Sequence, residues 1–417
     1  MVLNFRKEIA WVSFFVLLFS CGISSADENH YNNFLIGDRA SGMGGAYAAV
    51  SDDVSGLYYN PAGVVYSTGR NLSGSVNAFY NQHKKYENVI AGTGWERNST
   101  ALLPNFFGIT QPLSDKVKFG FSYAVPDSVQ EDQDQIFYNL PSQFAGVTAT
   151  IYVINFNNSD AVYEFGPSLA MEISKNFSAG VTLYYHERGN QTVLNQLITL
   201  DDGRYEATNY YSELHERGLR PIVGVMWTPA DKYAVGLAIS KTMVSYSDVS
   251  TQLIFKDANA LPNTIEFGLD NTSQKKKYPL VVRGGLALFP SASLLITIDG
   301  IYHTKVTDAV FGDRVAVLNG AVGAEYYLDR NWAVRGGLYT DLSNAPEIDP
   351  LRSGQAETID LYGGSLSISN FTRNTSITFG GNISTGSGQA QIISGSSNIQ
   401  DASISGWTMF LSSSYSY

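Results

Sequence analysis

The chain has 417 residues, enough for one large domain or two to three ordinary ones. Only 16% of residues are charged and 13% are aromatic, and the mean hydropathy of -0.08 is too polar for a bundle of membrane helices. A net charge of -11 argues against a nucleic-acid partner, because binding phosphates needs a basic surface.

The N-terminus has the form of a secretory signal, residues 1–26. Arg6 and Lys7 precede the apolar run IAWVSFFVLLFS, which is too short to span a bilayer as a helix. Ser24-Ser25-Ala26 offers a small-x-small cleavage site. LFSCG is a competing, lipobox-like pattern in which Cys21, the chain's one cysteine, would carry lipid. On either reading the mature chain has no intramolecular disulfide. No later stretch reaches the roughly 18 apolar residues that a membrane helix requires.

Residues 27–70 form a glycine-rich segment whose centre is GMGGAYAAVSDDVSGLYYNPAG, Gly42 to Gly63. A Walker-type phosphate loop fails here, because no lysine lies between Arg39 and Gly69. A dinucleotide fingerprint fails as well, since GMGGAY lacks the third glycine and no βαβ pattern follows. What remains is a compact segment packed inside a larger structure. SGMGGAYAAV can form a short tight helix, because its glycines and alanines let backbones approach. Asn60 can bond its own backbone two residues on and Pro61 fixes φ, so NPAG makes a rigid turn.

From Asn71 to the end the period is two. In KVKFGFSYAV, Val117, Phe119, Phe121, Tyr123 and Val125 share one face, and small or polar residues the other. The same pattern recurs in NFSAGVTLYY, KYAVGLAIS, YPLVVRGGLALF and NWAVRGGLY. About fourteen such segments occur, each near the roughly 9–11 residues of a tilted membrane strand or longer. Short links (LSD, SKN, TPAD, LDR) alternate with long ones near 81–99, 126–159, 188–207, 248–277, 342–357 and 386–403. Residues 71–417 therefore read as an all-β transmembrane antiparallel β-barrel of about fourteen strands, with short turns on the periplasmic side and long loops outside. A soluble sandwich would also alternate, but would not place every long link at one end. The terminal strand WTMFLSSSYSY ends in an aromatic residue, the signal expected by the barrel assembly machinery. Trp227, Trp332 and Tyr326-Tyr327 lie near predicted short turns, where an interfacial aromatic girdle would meet outer-membrane lipid.

NFLIGDRASGMGGAYAAVSDDVSGLYYNPAG resembles the N-terminal signature of the FadL-like outer-membrane transport family. Gly42, Gly44, Gly45, Ala46, Asp52, Asp53, Asn60, Pro61 and Ala62 match it as they stand. The close match covers about 30 residues, and the rest agrees in strand count, loop pattern and length. The signature also resembles the PorV-like branch, linked to protein secretion and surface attachment. The resemblance implies a fourteen-stranded barrel in the outer membrane of a diderm bacterium. Its N-terminal segment would be a hatch, with Gly42, Gly44, Gly45, Asp52, Asp53, Asn60, Pro61 and Ala62 as hatch or gating residues. An inert filler of the lumen is the plainer reading of the same residues.

In the family, hydrophobic cargo such as a fatty acid or an aromatic compound enters at long loops. It passes to a site against the hatch and leaves sideways through an irregular third strand. Here that strand is 116–125, followed by Pro126, which either marks such an opening or only ends the strand. The loop 126–159 is unusually apolar, and Phe137, Tyr138, Leu140 and Phe144 are the candidates for first ligand contact. Arg220, Arg283, Arg335, Asp299 and His303 fall on faces opposite the apolar rows, so they are expected in the lumen. There an Arg could fork a carboxylate or pair with another wall residue. Lys275–Lys277 and His83-Lys84-Lys85 are expected in solvated loops. Five scattered histidines, no H-E-x-x-H and no G-x-S-x-G give no enzyme, metal or cofactor reading. Two functions remain open. One is hatch-gated passive uptake of hydrophobic compounds such as long-chain fatty acids. The other is a non-transporting, PorV-like docking partner for secreted or surface proteins. A continuous apolar pocket against the hatch would favour the first, a lumen closed by polar side chains the second.

Overall fold

A computed structural model describes residues 29–142, 146–259, 265–393 and 397–416. The predicted signal with Cys21, together with Phe144 and Tyr417, lies outside the described residues. Among the described residues sixteen strands form one antiparallel sheet, and the pairing of β5 (Phe177–Leu200) with β6 (Tyr205–Ala230) closes it. Fourteen of them make the barrel wall. The other two, β8 (Met243–Lys256) and β9 (Glu266–Thr272), pair with each other and, among the described residues, otherwise only with the upper part of β6.

The wall is built by alternation. Along β4 (Thr148–Ser174), Tyr163, Phe165, Leu169, Met171 and Ile173 are exposed outside, and Glu164, Ser168 and Ala170 are buried inside. From Tyr163 to Ile173 the strand climbs about 33 Å at roughly 3.3 Å per residue. Tilted by about 40°, that is the height of the roughly 25 Å apolar band of an outer-membrane barrel. Trp227 and Trp332 lie exposed near the short turns, as a lipid-interface girdle requires.

The strands run far beyond this band. β1 spans Asn71–Ile90, β2 Thr93–Ser114, β3 Val117–Pro141 and β4 27 residues. The predicted long loops 81–99, 126–159 and 188–207 are therefore mostly strand, with turns only at their tips. Above the lipid band the outer residues become polar, as at Asn155, Asn157 and Ser159, so the apolar-out pattern that marked the strands disappears while the ladder continues. On the opposite side β10 (Leu280–Ser291), β11 (Leu294–His303), β12 (Val317–Tyr327) and β13 (Trp332–Asp341) are only 10–12 residues long, so the rim is lopsided. The taller β14 (Thr358–Phe371), β15 (Thr375–Ala390) and β16 (Gln400–Ser416) return to β1. β7 is Tyr233–Lys241.

Residues 29–67, most of them buried, fill the lumen, and the exposed residues 68–70 lead into β1. The luminal residues contain α1 (Asp38–Gly42), α2 (Gly56–Tyr59) and a 3-10 helix (Pro61–Tyr66). The helix predicted over SGMGGAYAAV is displaced: it comes earlier, as DRASG, and Met43–Val50 is a run of turns. Gly44 and Gly45 sit at φ 66° and 81°, a left-handed conformation that ends α1. Ile36, Met43, Tyr47 and Leu57 of the segment are fully buried, and with wall residues such as Phe106, Ala124 and Leu295 they form one apolar core. A second apolar cluster, including Tyr86, Trp95, Phe137, Ile154, Phe156 and Ile404, lines the inner faces of the tall strands nearer their tips.

Candidate functional site

The luminal segment is fastened at three levels. Near its start, Asp341 accepts the backbone N–H groups of Tyr31 and Asn32 at 3.1–3.2 Å, and Tyr31 stacks on His303 with ring centroids 3.9 Å apart. At α1, Arg39 forks Glu325 through Nε and Nη2 at 2.9 and 2.7 Å. Arg335 donates to the same carboxylate at 2.5 Å, and Arg39 also reaches Asp52 at 2.5 Å. Further on, the Asp299 carboxylate accepts the N–H groups of Tyr47 and Ala48 at 2.9 and 2.8 Å. Asn60 donates to the Ala48 carbonyl at 2.8 Å and to the Val225 carbonyl at 3.1 Å, and it accepts from Ala62 N–H at 3.2 Å. Wall glycines make room for this backbone. A Cβ on Gly337 would overlap the Met43 carbonyl carbon, one on Gly236 the Ala48 carbonyl oxygen, and one on Gly224 the Asn60 side chain.

The wall is interrupted beside the segment. β2 and β3 pair from Phe106↔Ala124 toward the short turn and again at Ser99↔Glu131. Residues 100–105 and 125–130 between them have no ladder partners across the seam. β3 carries an extra residue against β4 here, between Ala124 and Asp127, which bends it away. Pro126 lies in this bulge, with no N–H to offer a ladder. It does not end the strand, which continues to Pro141. The segment itself meets the seam: Phe34 N–H donates to the Pro126 carbonyl, Asn33 to Asp127 at 2.9 Å, and Asn105 to the Leu35 carbonyl at 3.0 Å.

A cavity of about 150 Å³ lies on the segment at this level. Pro126 and Asp127 of the seam line it, with Tyr31 and Tyr58 of the segment. Its remaining wall mixes apolar residues (Val162, Pro279, Val281) with ion pairs: His186 stands between Glu164 (3.4 Å) and Glu216 (3.2 Å, behind the lining), and Arg220 bonds Glu164 at 2.5 Å while lying 4.9 Å over the Tyr58 ring.

The family profile of outer membrane transport proteins (OMPP1/FadL/TodX) matches residues 32–252, more than half of the chain. The chain belongs to this OMPP1/FadL/TodX family. It is accordingly an outer-membrane β-barrel of a transport family, with the fold of hydrophobic-compound transporters. Similar solved structures include a Pseudomonas aeruginosa FadL homologue (15% identity, TM-score 0.63, covering 93% of this chain and 98% of that one). The toluene transporter TodX of P. putida is similar over 94% of this chain and 99% of its own (13% identity, TM-score 0.62). The toluene transporter TbuX of Ralstonia pickettii is similar over 93% and 99% (14% identity, TM-score 0.58). At these identities the likeness is one of fold. No curated protein matches the chain.

Within this OMPP1/FadL/TodX barrel the sequence-derived candidates separate into groups. Gly42, Gly44, Gly45, Asp52, Asn60, Pro61 and Ala62 all lie in the segment against the wall; Gly42 packs on Ser367 and Ser365 of β14. Asp53 accepts the Ser55 N–H at 2.8 Å, and burial together with the neighbouring Asp38 charge pushes its carboxyl up to about 6. Arg220, Arg283 and Arg335 all point inward, and all are engaged. Arg283 lies 3.9 Å from Asp299, donates to the Gly45 carbonyl and covers the Tyr59 ring, while Arg335 serves Glu325. Only Arg220 of the three lines the cavity. The expected first-contact residues do not form one loop surface. Phe137 is buried in the upper inner cluster and its neighbour Tyr138 is 62% exposed on the opposite face, because 126–159 is a strand hairpin with alternating faces; Leu140 is buried as well, past Asn139, whose φ of 53° breaks the alternation. Lys84, placed in a solvated loop by the sequence, is a buried partner of Glu357 at 2.7 Å, and Lys276 lines the cavity.

Arg39, Glu325, Glu164, His186 and Glu216 were not singled out by sequence reasoning. Glu164, His186, Glu216 and Glu325 carry one local sign, a charge on the small-residue face of a strand.

Proposed function

We propose that this barrel admits hydrophobic small molecules across the outer membrane by a route that its N-terminal segment gates. The observation that carries the reading is that the cavity on the segment and the broken β2–β3 seam share Pro126 and Asp127. A ligand held on the segment is thereby next to a wall stretch whose backbone groups are not zipped together. The apolar inner cluster of the tall strands supplies an entry surface above it. A cavity of about 150 Å³ is roughly the space a benzene-sized guest fills. With the segment docked, a single aromatic ring fits it better than a long-chain fatty acid, which needs the segment to move. The Arg220, His186 and Tyr58 lining favours a ring bearing a polar or acidic group.

The ion pairs within the lining favour a second reading, a barrel closed by polar side chains that serves as a docking partner. Titration of the purified barrel in detergent with toluene and with oleate separates the two. Saturable binding that changes in Asn60→Ala supports a segment-coupled route; no binding of either compound by a folded barrel supports the docking partner. The exit is tested with cysteines at Leu102 and Gln130, exposed on the two sides of the seam and joined by a short bis-maleimide. Uptake into cells should fall on cross-linking and survive in the uncross-linked variant.

A further inference from the structure

The β8–β9 hairpin ends in an open strand. Among the described residues β9 pairs with β8 alone, so the other edge of Glu266–Thr272 offers its N–H and C=O groups to no neighbour. Six of its seven residues are exposed, Phe267 and Leu269 at 60% and 64%. They stand on one face with Ile265, also exposed, while Glu266, Gly268 and Asp270 take the other, opposite Phe255, Leu253 and Thr251 of β8. Neither Glu266 nor Asp270 has an ion-pair partner among the described residues. Nor does the strand contain the lysine or proline that commonly blunts an edge.

The sheet behind this edge is braced up to it. On the outer face Asn155 donates to Asp134, Asn195 to Asn155 at 3.3 Å, and Asn209 to Asn195, an amide ladder across β3, β4, β5 and β6. In register the next members of that row are Ile254 and Phe267. An added strand would be the following member of an ordered row, and would displace no strand pairing among the described residues.

We propose that β9 receives an extended polypeptide segment as an added strand, and that the segment alternates apolar with basic side chains. Apolar residues would lie beside Phe267 and Leu269 on the outer face, and Lys or Arg beside Glu266 and Asp270 on the other. A second copy of this chain fits poorly. The antiparallel register that sets Phe267 beside Leu269 of another copy also sets Glu266 against Asp270, and each chain carries a net charge of -11. The proposal stands whether or not cargo crosses the lumen, since the edge lies outside the cavity.

The test is fluorescence anisotropy with the full barrel in detergent and labelled ten-residue peptides of alternating Val and Lys, alternating Val and Glu, and a scrambled Val/Lys order. The Val/Lys peptide should bind saturably and at least tenfold more tightly than the other two. Glu266→Lys with Asp270→Lys should reverse the preference toward Val/Glu. Leu269→Pro should weaken binding at least tenfold, while the heat-shifted gel mobility of the barrel and its ligand uptake stay unchanged. Absence of saturable binding, or binding that ignores Leu269→Pro, overturns the proposal. A dimer by light scattering that Leu269→Pro abolishes also overturns it, by assigning the edge to a second copy.

Discussion

Replacing Glu325 by Gln tests whether the N-terminal segment is held by electrostatics that only the docked state satisfies. Glu325 is 1% exposed in its side chain and serves two guanidiniums, Arg39 of the segment and Arg335 of the wall, themselves 17% and 2% exposed. Removing one partner from a buried pair costs roughly 3–5 kcal/mol, because the remaining charge stays desolvated. Arg39 keeps Asp52, so the lower figure of about 3 kcal/mol applies, and every 1.4 kcal/mol is tenfold, about 150-fold in the docking equilibrium. Much of that cost is relieved when the segment swings out and Arg39 reaches water. The prediction is therefore faster hydrogen exchange at residues 38–60, with exchange in the wall strands unchanged. Adding Arg39→Gln removes the stranded charge and should recover part of the loss, a coupling that a double-mutant cycle measures. Segment exchange within threefold of wild type, in a barrel that keeps its heat-shifted gel mobility, would refute the reasoning.

Three further outcomes follow from the same geometry. Gly337→Val places a side chain where the Met43 backbone lies, so the segment should lose protection from proteolysis while the barrel still assembles. Asn60→Ala removes donors to two carbonyls and an acceptor for Ala62 N–H, and each buried group left unpaired costs about 1–3 kcal/mol. Its segment exchange should rise at least tenfold. The Asp53 carboxyl, at about 6 in the docked segment, falls toward roughly 3.9 in water. The docked form then holds the proton more tightly, so docking is strongest below about pH 4 and weakens as pH rises through about 6. Channel openings in a planar bilayer should be rarer at pH 4.5 than at pH 7.5, and Asp53→Asn should flatten that dependence.

The barrel was legible because its signal is local. A lipid-facing strand must alternate, so Val117 to Val125 declared both strand and orientation, and the Asn-Pro-Ala turn after Gly42 marked the luminal segment and with it the family. The same rule truncated the strands. Where Ser159, Asn157 and Asn155 rise out of the lipid, neither face has to be apolar, and strand became indistinguishable from loop. That misplaced Phe137 and Tyr138 on a common surface, although a strand sends them to opposite faces.

Inward-facing charges could be read one strand at a time, but their partners could not. Arg335 and Glu325 stand across one ladder, and Arg39 arrives from 286 residues away; Asp299 meets Tyr47 and Ala48 from about 250. Pro126 was visible as a disturbance, but whether it ended β3 or bent it depended on the bulge against β4 and on Asn33 and Phe34 docking beside it. Sequence by itself determined what each strand must show to lipid, because that demand falls on every second residue. Tertiary structure alone decided which buried charges meet, where the seam opens and which edge stays unpaired, because these depend on which distant segments the closed barrel brings together.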